Sequence, residues 1–219
     1  CALPICAKYY THSGEAISDV LGFFADEKLN AMRVRLFVDP SKAPAAEVGE
    51  GVCQDLEYVC ALGKRIKSAG MALMLDIHYS DSWADPAKQY TPDAWTALGD
   101  EAMAAKVHDY TVEVLKAMKD AGAIPDFIQT GNEISYGMLW GARGASASSM
   151  KSYYAGKENN AERFFSFLKN AAKACREECP DAKIVIHTER VTNIDYTKLF
   201  YTDMANAGID YDIIGMIYY

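Results

Sequence analysis

Hydrophobic positions along this chain keep two alternating rhythms. Short runs that are apolar on both faces fall at Met32–Val38, Met71–His78, Asp126–Thr130, Lys183–Thr188 and Tyr211–Tyr219, and predict five strands. Longer runs repeat their apolar residues every three or four positions and predict helices at Cys53–Ser68, Ala102–Ala121, Asn160–Glu178 and Asp195–Asn206. Thr91-Pro92-Asp93 supplies a cap, a proline and an acid, so a further helix is expected to start there. Gly70 follows the first of these helices, where a C-terminal glycine belongs.

Strands that are apolar on both sides and separated by helices imply a parallel sheet with right-handed crossovers. An α/β fold follows, either a (β/α)8 barrel or an open doubly wound sheet. Two stretches break the rhythm, Tyr79–Tyr90 and Ile134–Lys157, and both follow a strand. Long loops at that end of a barrel are where its chemistry collects.

Composition narrows the field. The 219 residues carry 30 acidic against 22 basic side chains, a net charge of −8, without a basic tract, so a nucleic-acid partner is not expected. No apolar run approaches the ~20 residues of a membrane span. Neither a dinucleotide-binding nor a P-loop glycine pattern follows any strand. The six cysteines include no Cys-x-x-Cys pair, which argues against a zinc ribbon. Cys53 and Cys60, and likewise Cys175 and Cys179, sit at helical spacing and are expected as buried free thiols.

The strand ends carry the chemistry. Arg33 and Arg35 share one face of an apolar strand, which is costly unless they meet anions. The later strands end in Asp76-Ile77-His78, Gly131-Asn132-Glu133, His187-Thr188-Glu189 and Tyr218-Tyr219. A barrel closes those ends into a ring, so Arg35, His78, Asn132, Glu133, His187 and a tyrosine converge. Trp83 and Trp140 lie on the two long loops. Each offers either an aromatic face to a sugar or a plug for its own loop. Trp95, just inside the expected helix start, reads as packing. Asp76, His78, Glu133 and His187 lack zinc-like local spacing, so no metal site and no cofactor is assigned. His12 and His108 read as surface residues.

Four strings now resemble one family, the family 53 glycoside hydrolases, which are galactanases. They are Arg33-Val34-Arg35-Leu36-Phe37-Val38-Asp39-Pro40; Leu75-Asp76-Ile77-His78-Tyr79-Ser80-Asp81-Ser82-Trp83-Ala84-Asp85-Pro86; Gly131-Asn132-Glu133-Ile134 with Gly137-Met138-Leu139-Trp140; and Asp212-Ile213-Ile214-Gly215-Met216-Ile217-Tyr218-Tyr219. In order, they span most of the chain. The resemblance implies a retaining endo-β-1,4-galactanase on a (β/α)8 barrel, acting on galactan or arabinogalactan side chains of pectin.

By that resemblance Glu133 is the acid/base and Asn132 holds the sugar 2-hydroxyl. Arg35 orients the nucleophile. His78, Asp81, His187, Tyr218 and Tyr219 line the substrate site, and Trp83 and Trp140 contact the polysaccharide. The family nucleophile is a glutamate ending the seventh strand, so it is expected beyond residue 219. Glu189, Asp81 and Asp85 are the alternatives within the chain, Glu189 foremost. Residues 1–219 are then expected to form a single catalytic barrel domain holding strands two to six of eight, short at both ends and inactive alone. Cys1–Ala7 matches no strand motif, and no calcium site is assigned. A monomer working outside the cytoplasm is expected, since polymeric galactan does not enter a cell. Alternatives are a β-mannanase or cellulase on the same barrel, a non-catalytic glycan-binding barrel, or a barrel enzyme acting on a phosphorylated metabolite.

Overall fold

The computed structural model describes residues 8–144, 154 and 160–217. The described residues open with a small antiparallel hairpin, β1 (Tyr9–Tyr10) and β2 (Ala16–Ile17). Helix α1 (Val20–Asp26) follows, capped by the Asp19 carboxylate on the Gly22 amide. Then come β3 (Ala31–Leu36), α2 (Ala45–Gly49), α3 (Leu56–Ser68), β4 (Ala72–Ile77), α4 (Asp100–Asp120) and β5 (Phe127–Thr130). Helix α5 (Ala161–Glu178), β6 (Lys183–Thr188), α6 (Ile194–Asn206) and β7 (Ile213–Met216) complete it.

All five strands β3 to β7 are parallel and lie side by side in sequence order. A doubly wound sheet reverses its order partway across, whereas a barrel never does. The uninterrupted order therefore selects the barrel over the open sheet, and the chain forms five strands of a (β/α)8 barrel.

Alternation along each strand separates two environments. Val34, Leu36, Leu73, Leu75, Ile77, Ile128, Ile184 and Ile186 are buried together with helix residues such as Val59, Ile66, Val114, Phe167 and Phe200. The opposite positions carry Arg33, Arg35, Asp76, Gln129 and His187, and the register pairs Arg35 with Asp76 and Asp76 with Gln129. A period of two thus puts oil under the helices and charge inside the barrel. On β7 the helix-side positions Ile214 and Met216 are about half exposed. At Gly63 the spacing of α3 from the sheet leaves no room for a side chain. An added Cβ there would lie 2.9 Å from Ala123 Cβ and 3.0 Å from Leu73 Cδ2.

The sequence pattern located all five strands, β6 with the expected bounds and the other four shorter. Phe37 and Val38 leave the sheet, and their amides donate to the Gln54 and Ser80 carbonyls. Helix α3 begins at Leu56 under an Asp55 cap, not at Cys53. Cys53 is consequently exposed and Cys60 only half-buried, whereas Cys175 and Cys179 are buried; all four are free thiols. Cys1 and Cys6 lie outside the described residues. Thr91-Pro92-Asp93 starts only a 3-10 turn, Asp93–Trp95, and α4 begins at Asp100. Trp95 packs there against Tyr110, ring centroids 5.2 Å apart. No helix among the described residues is long and apolar enough to cross a membrane.

Candidate active site

Asp76 is the anion that the two arginines meet. Its side chain is fully buried on β4, with Arg33 Nη2 2.8 Å and Arg35 Nε 3.9 Å from Oδ2. His78 Nε2 stands 3.2 Å from the same oxygen. His78 Nδ1 accepts from the Ala84 amide at 3.0 Å, so Nε2, the nitrogen on the Asp76 side, carries a ring proton. Burial works to raise the Asp76 carboxyl, but His78, Arg33 and His187 outweigh it and hold the group below the usual aspartate value.

From Asp76 the network reaches the Asn132–Glu133 pair through Gln129. Gln129 Nε2 donates to Asp76 Oδ1 at 2.6 Å, to the Gly131 carbonyl at 2.9 Å and to Asn132 Oδ1 at 3.3 Å. Arg33 Nη2 also donates to Asn132 Oδ1, at 2.8 Å, and Arg33 Nε to Gln129 Oε1 at 3.1 Å. Asn132 Nδ2 donates to the Ala84 carbonyl at 2.8 Å. The amide is thus fixed with its oxygen turned inward. One N–H bond is directed at Ala84, and its second amide proton is the one a ligand oxygen could accept.

Glu133 follows with φ 51°, in the left-handed region that a side chain seldom occupies. Gly131, two residues earlier, has φ 93°, and an added Cβ there would lie 2.7 Å from Ile134 Cγ2. This tight turn lifts Glu133, half-buried, off the end of β5. Several bonds hold it there. The Glu133 amide donates to His187 Nδ1 at 3.2 Å, and the Ile134 amide to the His187 carbonyl at 3.1 Å. Gln89 Nε2 donates to the Asn132 carbonyl at 2.7 Å and the Glu133 carbonyl at 3.3 Å. Because His187 Nδ1 accepts, its proton is on Nε2. Burial, then the charge of Arg33, pushes the ring down to about 4, so His187 is neutral at ordinary pH.

The predicted residues therefore divide. Arg35, Asn132, Glu133 and His187 gather at the C-terminal ends of β3, β5 and β6. Trp83 joins them: Arg35 lies over its ring at 4.8 Å, and Phe37 and His78 meet it edge-on. His78, Asp81 and Trp140 do not present themselves to a ligand, being 1%, 3% and 3% exposed. Asp81 is a staple: its two oxygens accept from the Asp39 amide at 3.1 Å and the Asp93 amide at 2.8 Å. Trp140 plugs its own loop, with Nε1 donating to the Tyr136 carbonyl at 3.0 Å. Tyr218 and Tyr219 lie outside the described residues. Gln89 and Gln129 were not singled out by sequence; neither has a motif, only a polar side chain in an apolar context.

Glu189, just past β6, takes a different position. It accepts from Ser135 Oγ at 2.9 Å, and its Oε1 is buried with no hydrogen-bond partner among the described residues. Burial raises its carboxyl above the usual glutamate value, with Ser135 and Arg190 opposing. Among the described residues no three His, Cys, Asp or Glu side chains cluster as metal ligands.

Fold and site together define a (β/α)8-barrel protein whose polar centre lies at the C-terminal ends of its strands, where barrel enzymes do their work. The sequence profile of glycosyl hydrolase family 53 matches residues 4–219, and the chain belongs to that family. It is 37% identical over 201 residues to a Niallia circulans protein described as an uncharacterized protein in the bgaB 5′ region, covering 92% of this chain and 51% of that one. It is 32% identical to a probable arabinogalactan endo-β-1,4-galactanase A of Neosartorya fischeri, covering 87% and 49%. The family 53 catalytic domain of Ignisphaera aggregans superposes with a TM-score of 0.83 at 33% identity, covering 98% of this chain and 55% of that one. The chain spans about half the length of the curated relatives it matches.

Proposed function

We propose that these residues form the acid/base half of a retaining endo-β-1,4-galactanase. The observation that carries this is the Asn132–Glu133 turn. It fixes an amide and lifts a carboxyl side by side at the mouth of a barrel whose family includes arabinogalactan endo-β-1,4-galactanases. In this reading Glu133 protonates the leaving glycosidic oxygen and later deprotonates the attacking water. Asn132 holds the sugar 2-hydroxyl through its outward N–H. Neutral His187 offers its Nε2 proton to the −1 sugar. Trp83, braced by Arg35, provides an apolar face at the rim.

Retention requires a second carboxylate about 5–5.5 Å from the first. The resemblance to the family implies that this nucleophile is a glutamate ending the seventh strand, beyond residue 219, oriented by Arg35. The substrate is then galactan of pectin, degraded outside the cytoplasm by a monomer with no cofactor.

The test uses the natural gene product that contains these residues. Glu133→Gln is expected to lower galactan hydrolysis by about 10²–10⁴-fold, the usual worth of a general acid/base. The loss should be smaller on aryl galactosides whose leaving group needs no proton. Undiminished hydrolysis by that variant would remove Glu133 from the reaction. Turnover of mannan or cellulose but not galactan would overturn the substrate, and binding of galactan without turnover would favour a glycan-binding barrel.

A further inference from the structure

We infer that Glu189 is a positioning residue for the acid/base turn, acting through the Ser135 hydroxyl to hold Glu133 in its left-handed conformation. The inference deepens the function proposed above and rests on it.

A non-glycine residue at φ 51° persists only where its surroundings over-determine it, at a cost of about 1–3 kcal/mol. On the strand side Glu133 is tied by His187 and Gln89. On the far side the chain must be pulled down again immediately, and Ser135 is where this happens. Ser135 is fully buried. Its hydroxyl donates to Glu189 Oε2 at 2.9 Å, and its carbonyl accepts from the Tyr196 hydroxyl at 2.6 Å. The next residue, Tyr136, packs on Tyr196 with ring centroids 5.8 Å apart, and Arg190 lies 5.2 Å from both rings. Glu189, Arg190 and Tyr196 thus clamp residues 135 and 136 onto the loop after β6. The turn at Glu133 is strung between two anchored ends.

Glu189 is a poor stabiliser. A half-buried carboxylate with one oxygen unpartnered among the described residues pays desolvation that its hydrogen bonds do not recover. An acceptor is what Ser135 needs, and a charge is not. Two substitutions separate these. Glu189→Gln keeps a carbonyl acceptor without the charge; Glu189→Ala removes both. Ser135→Ala removes the donor.

In the natural gene product, Glu189→Ala and Ser135→Ala are each expected to lower kcat on galactan about 10- to 100-fold, the scale of a displaced catalytic group. KM should stay within threefold, and the melting temperature should fall by a few degrees at most, because each deletion leaves one buried polar partner unsatisfied. The double variant should lose no more than either single one, because both cut the same link. Glu189→Gln should stay within threefold of the parent. Amide hydrogen exchange supplies a second readout that needs no activity: residues 133–136 should exchange faster in Glu189→Ala and Ser135→Ala, and at the parental rate in Glu189→Gln.

Unchanged exchange in both deletion variants would overturn the inference even if the enzyme proved not to be a galactanase. Faster exchange in a protein that does not cleave galactan would sink the proposed reaction and leave the clamp standing. A Gln variant as impaired as Ala would assign the role to the charge and overturn the inference. A rise in KM, or a fall in melting temperature with kcat preserved, would make Glu189 a substrate contact or a plain structural residue, and would overturn it as well.

Discussion

The loop after β4 opens on Tyr79 at φ 49°, and the loop after β5 rises through Glu133 at φ 51°. Each turn comes just past its strand, on a residue with a side chain, and a tryptophan follows within seven residues, Trp83 in the first and Trp140 in the second. The uses differ. Tyr79 is 1% exposed and swings back into the core, where its hydroxyl meets Thr111 Oγ1 of α4 at 2.7 Å. Glu133 instead stays half-buried at the C-terminal end of β5, among the polar side chains of the site. The tryptophans make the opposite choice. Trp83, in the loop whose turn residue is buried, lies at the rim beneath Arg35; Trp140, in the loop whose turn residue is half-buried, is itself buried. Each loop therefore spends one large side chain on its own packing and one on the site. The left-handed residue can supply either.

The tryptophans should break the symmetry most visibly. Trp140→Ala empties a buried, hydrogen-bonded site and is expected to cost about 3–5 kcal/mol in urea unfolding. Trp83→Ala should cost less than half of that, and should instead weaken retention on immobilised galactan. Equal losses of stability would mean that Trp83 too is a plug.

The two left-handed residues sharpen the contrast at a smaller scale. Tyr79→Phe removes a buried hydroxyl from Thr111, which still donates to the Val107 carbonyl at 2.7 Å. The expected loss is about 1 kcal/mol, the net worth of one buried hydrogen bond. Glu133→Gln should stay within about 0.5 kcal/mol of the parent while abolishing most activity. A large stability loss at Glu133 would show that its turn, like that of Tyr79, serves packing first.

These contrasts also mark what the sequence could reveal. Strand positions were legible because runs such as Met71–Ile77 are nearly continuous in apolar residues, as parallel strands under helices are. The meeting of Asn132, Glu133 and His187 was legible because a barrel brings all strand ends together whatever their separation along the chain. Burial of individual side chains was not. Trp83 and Trp140 sit in equally polar-looking loops, and only the tertiary path decides which ring is covered. Asp81 reads as a ligand in its motif, yet spends both oxygens on backbone amides of Asp39 and Asp93. Gln129 and Gln89 carry the network from Asp76 to Glu133, and a lone glutamine has no signature. Helices α1 and α2, seven and five residues long, are too short for a 3.6-residue period to show.

The smallest expected effect separates the loops by how they are fastened. The first is moored to α2 by Glu47, which accepts from Ser82 and pairs with Lys88 Nζ at 2.6 Å. The Trp140 end of the second is moored by bonds that do not titrate: the Trp140 amide to the Gln89 carbonyl at 2.8 Å, and the Thr91 amide to the Gly141 carbonyl at 2.9 Å. Burial works to raise the Glu47 carboxyl, but Lys88 and Ser82, with Arg143 behind them, bring it below the ordinary glutamate value of 4.5. A carboxyl lowered by folding stabilises the native state above its unfolded value, and that contribution disappears as pH falls through the folded one. Glu47→Gln should therefore lie below the parent by about 0.5–1 kcal/mol at pH 7, the range for a partly screened pair. The gap should close at low pH, once Glu47 is protonated in the parent as well. The deficit of Trp140→Ala, measured beside it, should be the same at both pH values. If the Glu47 gap persists in acid, shape rather than charge moors the first loop, and the two loops are fastened alike.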